Sequence, residues 1–211
     1  MLSLGITPRY PGIRMTQPGT TNAVDGRRLR SERSRQAIID AMLGLVVEGV
    51  LVPTAQQVSE RAGVGIRSVF RHFSDMESLY ATIDSVVRER YQGLFAGGDR
   101  QGSLRERLLH AVEQHALAYE EVGPLFLSTK AQLWRYAVLR EQYARTQRQI
   151  RNDLEDWLPE LQSLNASRRE MVDAIASFET WNRLREHQGL DRQAAVELVD
   201  AMLRQVLCPD Q

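Results

Sequence analysis

RAGVGIRSVFRHF, Arg61 to Phe73, sets two glycines, three arginines and two phenylalanines between segments of helical pattern. Gly63 can take the positive φ that a tight chain reversal needs, at no steric cost. Ala62 is small enough for two helices to approach closely, and Val58, Val64 and Val69 are spaced to fill the gap between them. A helix ending at Gly63, a three-residue turn and a second short helix over Ile66–His72 make a helix-turn-helix unit. In such a unit the second helix stands out from the body, with its first residues free to reach the edges of bases.

Outward from this stretch the pattern stays helical, with no sustained period-two alternation of β-branched residues. A first helix is expected over Ser34–Val47, with Ile38, Met42, Leu45 and Val46 on one face and Ile39 and Leu43 beside it. Gly49 ends it and Pro53 blocks continuation. Thr54-Ala55-Gln56-Gln57 fits a capping box that opens the second helix, and Ser74-Asp75-Met76-Glu77 fits another that opens the fourth. The fourth carries a stripe of Leu79, Ile83, Val86 and Val87. Gly97, Gly98 and Gly102 mark an internal break. A fifth helix is expected over Ser103–Glu121, interrupted by Gly123-Pro124, and a long or kinked helical region then runs to Leu158, where Pro159 stops it. Two more helices are expected over Ser167–His187 and Asp191–Leu207, separated by Gly189. The fold class is therefore all-α.

The chain of 211 residues is long enough to bury a core without disulfides or metal. Its single cysteine, Cys208, permits no internal disulfide, which fits a reducing, cytoplasmic setting. No apolar run approaches the roughly 18 residues of a membrane span, and the first residues lack the apolar core of a signal peptide. Residues 1–26 read as a disordered extension, and Met15 is a possible alternative start. The formal net charge is zero, yet the charges are unevenly placed. Arg27, Arg28, Arg30, Arg33 and Arg35 crowd one segment with only Glu32 among them, and Arg61, Arg67 and Arg71 recur downstream. Alone, such a run reads as a solvated face. Beside a helix-turn-helix it reads as a DNA-facing surface.

AQQVSERAGVGIRSVFRHFSDMESLY, Ala55 to Tyr80, resembles the DNA-binding domain of the tetracycline-repressor (TetR) family. The likeness extends over about Arg33 to Leu94. Ser177 to Leu207, SFETWNRLREHQGLDRQAAVELVDAMLRQVL, is similar to the last two helices of several members. The resemblance implies an N-terminal three-helix helix-turn-helix domain, 27–95, and a larger C-terminal helical domain for ligand binding and dimerisation, 96–211. It implies a homodimer on a palindromic double-stranded DNA operator, modulated by a small-molecule effector, with no cofactor and no enzyme activity. Ile66 and Arg67 fall where the family touches bases, and an arginine can bind guanine O6 and N7 with both arms. Thr54, Ser68, Phe70 and His72 fall at the family's phosphate contacts, with Arg71 beside them. Phe70 replaces a usual tyrosine, Met76 a usual lysine and Gly65 a common serine cap. Affinity is then expected to lean on Arg27, Arg28, Arg30 and Arg33 as an N-terminal arm along the backbone or minor groove.

In the second half, Phe126, Trp134, Tyr136, Tyr143 and Trp157 read first as core, and alternatively as the wall of an effector cavity. Phe178, Trp181, Leu184, Val196, Val199, Met202, Leu203 and Val206 form apolar stripes expected to build a four-helix dimer interface. His110 and His115 are spaced too far apart to share a helix face as metal ligands, so no metal site is expected. Gly63-Val64-Gly65 lacks the strand and third glycine of a dinucleotide loop. Asp153, Glu155, Asp156 and Glu160 read as a solvated acidic face. Phe70, Met76 and the neutral net charge leave room for a second reading, a helical small-molecule-binding or dimerisation module with weak or lost DNA binding.

Overall fold

A computed structural model describes residues 23–208, all in helices and their connections. The expected extension falls largely on residues 1–22, outside the described residues, as does Met15.

Helix α1 spans Ala23–Val47 and so begins well before Ser34. No proline or glycine pair interrupts the early segment, and Ser34 behaves as an interior residue, its Oγ donating back to the Arg30 carbonyl at 3.1 Å. Helices α2 (Ala55–Ala62), α3 (Ile66–His72) and α4 (Met76–Ala96) follow. Ile38, Ile39, Met42, Val58, Val69, Phe73, Leu79 and Ile83 close one core between them. Of the expected α4 stripe, Val87 packs inward whereas Val86 is exposed. The α4 cap also lies one residue later than the sequence suggests. Asp75 accepts from the Ser78 backbone N–H at 2.7 Å, and the Ser78 hydroxyl answers on the Asp75 backbone.

Helix α5 (Leu104–Lys130) runs straight through Gly123-Pro124 instead of stopping at Glu121. Burial outweighs the lost backbone bond there. Val122 and Phe126 flank the proline in the core, and Gly123 lies against the Phe178 ring, 3.6 Å from where a Cβ would stand. Helix α6 (Ala137–Trp157) follows a turn, and Pro159 opens a short 3-10 turn to Ser163. The expected helix over 167–187 is divided into α7 (Ala166–Ala176), α8 (Phe178–Asn182) and a π-helical turn, Arg183–His187. Ser177 makes the break by capping α8 through the Thr180 backbone N–H. Helix α9 spans Arg192–Leu207.

These later helices build a second core around Tyr119, Phe126, Trp157, Phe178 and Leu203. Helix α4 reaches into it with Phe95, while Leu139 of α6 is buried in the first core. The glycine loop after α4 is tightly placed. Gly98 has φ 97°, and a Cβ there would lie 2.7 Å from the Trp157 ring. Gly98→Ala is expected to cost more than about 1 kcal/mol, from strained φ and the ring clash together. Chemical denaturation of the variant against the wild type measures this.

Candidate nucleic-acid interface

Thr54 opens α2 with a complete capping box. Its Oγ1 accepts from the Gln57 backbone N–H at 3.2 Å, and Gln57 Oε1 accepts from the Thr54 N–H at 2.9 Å. Gly63 closes α2 in the left-handed conformation, φ 64° and ψ 31°. Its N–H returns to the Glu60 carbonyl, and Val64 N–H to that of Ser59. Gly65 then opens α3 without a side-chain cap. Val58 and Val69 are fully buried beneath the turn, and Val64 is partly buried beside them.

With those valines inward, helical geometry turns the rest of α3 outward. Ile66, Arg67, Phe70 and Arg71 are all exposed, and Phe70, at 46%, keeps nearly half its surface in water. Ser68 is half-buried, and its Oγ accepts from Arg71 Nη2 at 3.2 Å. Phe73 is instead a core residue, with the Arg35 guanidinium 5.2 Å above its ring. Arg61, although part of the same basic run, is engaged by Glu48 in a two-armed ion pair that pins the end of α2 to the end of α1. The pair holds the Glu48 carboxyl below its usual range through the hydrogen bond. Arg67 and Arg71 are therefore the cations that α3 presents outward.

His72 is half-buried, and its Nε2 is enclosed with no hydrogen-bond partner. Burial first, then the neighbouring Arg71 and Arg35, hold the imidazole below its ordinary pKa. A neutral ring with its Nε2 turned inward leaves only Nδ1 to meet a phosphate. Arg27, Arg28, Arg30 and Arg33 are exposed as expected, but they ride on α1 as part of a helix, not on an extended arm.

The five aromatics expected around an effector do not converge. Trp134 is 80% exposed in the turn between α5 and α6, and Tyr136 lies against Tyr80, their ring centroids 6.1 Å apart. Trp157 is sealed under Gly98 with Arg100 4.8 Å above its ring. Only Phe126 and Tyr143 meet, edge to face at 5.8 Å, on a cleft between α1, α4, α5 and α6. That cleft has a free volume of about 30 Å³, room for a water molecule. A larger cleft of about 240 Å³ lies between α4 and α6, walled by Gln92, Phe95, Gln149, Ile150, Asp153 and Asp156.

Sequence reading misses this second cleft because it places Asp153 on a solvated face. Asp153 is largely buried, accepting from Arg100 at 2.7 Å and lying 3.3 Å from Nε2 of the buried His115. Burial alone would raise its pKa, but the bonds to His115 and Arg100 outweigh that and hold it down. Glu160 is likewise tied to Arg107, whereas Asp156 is exposed. Among the described residues no group of three His, Cys, Asp or Glu side chains could hold a metal ion. Among them, too, no helix is long and apolar enough to cross a membrane.

The residues of the expected dimer stripe face the chain's own core. Phe178, Trp181, Leu184, Val196, Val199 and Leu203 are buried in the chain's own second core, and Met202 and Val206 pack partly against it. These side chains are consumed inside one chain. Met171 of α7 and Leu198 of α9 are exposed.

No family model and no curated protein matches the chain. Solved structures do. A transcriptional regulator from Rhodococcus sp. Rha1 is similar over 84% of this chain and 95% of its own, with TM-score 0.62 and 17% identity. A TetR family transcription regulator from Marinobacter aquaeolei is similar over 85% and 97%, with TM-score 0.56 and 18% identity. The TetR family regulator PfmR from Thermus thermophilus is similar over 90% and 97%, with TM-score 0.51 and 16% identity. At these identities the likeness establishes the fold.

The enclosure of His72 has a measurable consequence. Its folded pKa lies below the unfolded value of about 6.5. The neutral ring therefore contributes stability that is whole above that pH and is lost as pH falls from 6.5 through the folded pKa. An NMR titration is expected to place the His72 midpoint below 6.5, and His72→Gln to flatten that part of the stability profile.

Proposed function

We propose that this chain, which has the fold of the TetR-family transcriptional regulators, is a sequence-specific DNA-binding regulator, a repressor released from its operator by a small-molecule effector. The observation that carries the reading is the division of α3. Val69 is locked into the core while Ile66, Arg67, Phe70 and Arg71 stand in water on one small helix. That outer face joins two cations to an aromatic ring, the chemistry of a nucleic-acid contact. A seven-residue helix tipped with arginines fits the major groove.

In this reading Arg67 and Ile66 read base edges. Thr54, Ser68, Phe70, Arg71 and His72 meet the phosphate backbone, and the α1 arginines Arg27, Arg28, Arg30 and Arg33 add non-specific attraction. The DNA-binding part spans 27–95 and the regulatory part 96–211. One recognition helix reads few base pairs, so two copies related by a twofold axis, joined through the outer faces of α7 and α9, would read a palindrome. The effector enters the cleft between α4 and α6, which adjoins Phe95 on the helix shared by both cores. Its mixture of amide, carboxylate and apolar walls suits a polar-headed organic molecule of modest size. The protein acts in the cytoplasm, where its DNA is.

Arg67→Ala is expected to weaken binding to a DNA fragment selected by the wild-type protein by about 1–3 kcal/mol, roughly 5- to 150-fold. Gel-shift titration at two salt concentrations reads it out. Unchanged binding, or affinity indifferent to salt, sinks the DNA-reading proposal in favour of a ligand-binding module. For the cleft, Ile150→Trp fills the space between α4 and α6. A library compound that raises the melting temperature of the wild type is expected to lose that effect on this variant while DNA binding persists.

A further inference from the structure

The connection between α1 and α2 is short, and it leads directly into Thr54. Its conformation is set at both ends. Gly49 turns it at φ 94°, and the Thr54 capping box fixes its exit. Between them stands Pro53, buried and with its φ locked by its ring. A segment this stiff moves as one piece with the N-terminus of α2.

One residue of the C-terminal half grips that segment. Ser128, 3% exposed near the end of α5, donates from Oγ to the Leu51 carbonyl at 2.7 Å. The end of α5 is itself anchored from the far side. Lys130 pairs with Glu179 of α8, and the Tyr143 hydroxyl of α6 donates to the same carboxylate at 2.8 Å. A continuous strut thus runs from α8 through the end of α5 to the turn that carries Thr54. The packing of either core alone does not require a buried hydroxyl at position 128.

We propose that Ser128 is a positioning residue for DNA recognition: its hydroxyl holds the turn before α2 so that Thr54 meets the phosphate backbone, making operator affinity depend on the C-terminal half. This inference rests on the reading of Thr54 as a phosphate contact. It deepens that reading by supplying a second route between the two halves, independent of α4. Ser128 also lines the small cleft that holds Phe126 and Tyr143, so a shift of those side chains reaches the latch directly.

A double-mutant cycle tests it, using the full chain and a fragment selected from genomic DNA by the wild type. Thr54→Ala is expected to weaken binding about tenfold, the scale of one hydrogen bond to a charged group. Ser128→Cys, nearly isosteric but with only a weak S–H donor, is expected to weaken it about three- to tenfold. The double variant is expected to bind within about twofold of Thr54→Ala alone, because the two residues act through one contact. Ser128→Thr, which keeps the hydroxyl, is expected to restore affinity. Independent, multiplying losses, or wild-type binding by Ser128→Cys, would overturn the latch and leave the phosphate contact standing. Wild-type binding by Thr54→Ala would overturn both. Because Ser128→Cys keeps the volume of the side chain, a failure to fold is not expected. If it occurs, Ser128→Thr decides alone, with loss of affinity by a folded Ser128→Thr counting against the latch.

Discussion

Helix α4 belongs to two cores at once, and that shared membership governs the rest of the molecule. Its first turns place Leu79, Tyr80 and Ile83 among the residues of α1, α2 and α3, and its last turn places Phe95 among those of α5 and α6. Val87, between them, packs against both clusters. Close-packed interiors deform in discrete steps, not continuously. Helix α4 therefore ties the two cores together through one continuous element. The carbonyl of Ala81, in the first half of the helix, also accepts from Gln142 of α6 at 3.2 Å, which stiffens the junction further. Leu139, on the same helix α6, sits in the first core, so α6 is joined to the N-terminal half by packing as well as by that bond.

Charge is arranged to suit this plan. The chain is neutral overall, and several of its cations are paired with carboxylates that the fold brings near. Arg100 and Arg107 are spent on Asp153 and Glu160, Arg151 on Glu170, and Arg61 on Glu48. The more exposed of those pairs add little stability singly. Each such pair offsets a positive charge locally, while Arg105, Arg135, Arg140, Arg145 and Arg148 of the C-terminal half stay exposed. Arg67 and the early arginines of α1 are exposed on the half that carries α3.

How much of this is legible in the sequence depends on the range of the interaction. Local chemistry is readable. Thr54 with Gln57, Gly63 in the left-handed region and the bounds of α3 follow from side chains reaching backbone a few residues away. Where tertiary packing overrules local preference, sequence reading goes astray. Pro124 is a helix breaker by propensity, yet α5 continues because Val122 and Phe126 are buried on either side. Asp153 looks like part of a solvated run because nothing nearby in sequence discloses that His115 and Arg100 converge on it. Trp134 and Trp157 are alike in the sequence and opposite in the fold, one in solvent and one sealed by a glycine that only the fold brings near.

The dimer stripe shows the same limit most sharply. Val196, Val199 and Leu203 recur at helical spacing, which establishes that one face of α9 is dry. Periodicity cannot say whose side chains dry it. Here they belong to the same chain, Phe178 and Trp181 among them, so the stripe closes the monomer's core. The outer side of α7 and α9 instead exposes Met171 and Leu198 among polar neighbours such as Glu170, Glu197 and Gln205. A contact on that surface would be more polar than the stripe, in keeping with interfaces between folds that already have complete cores. On the proposed reading, such a contact would leave each monomer's packing intact, because both cores are complete within one chain.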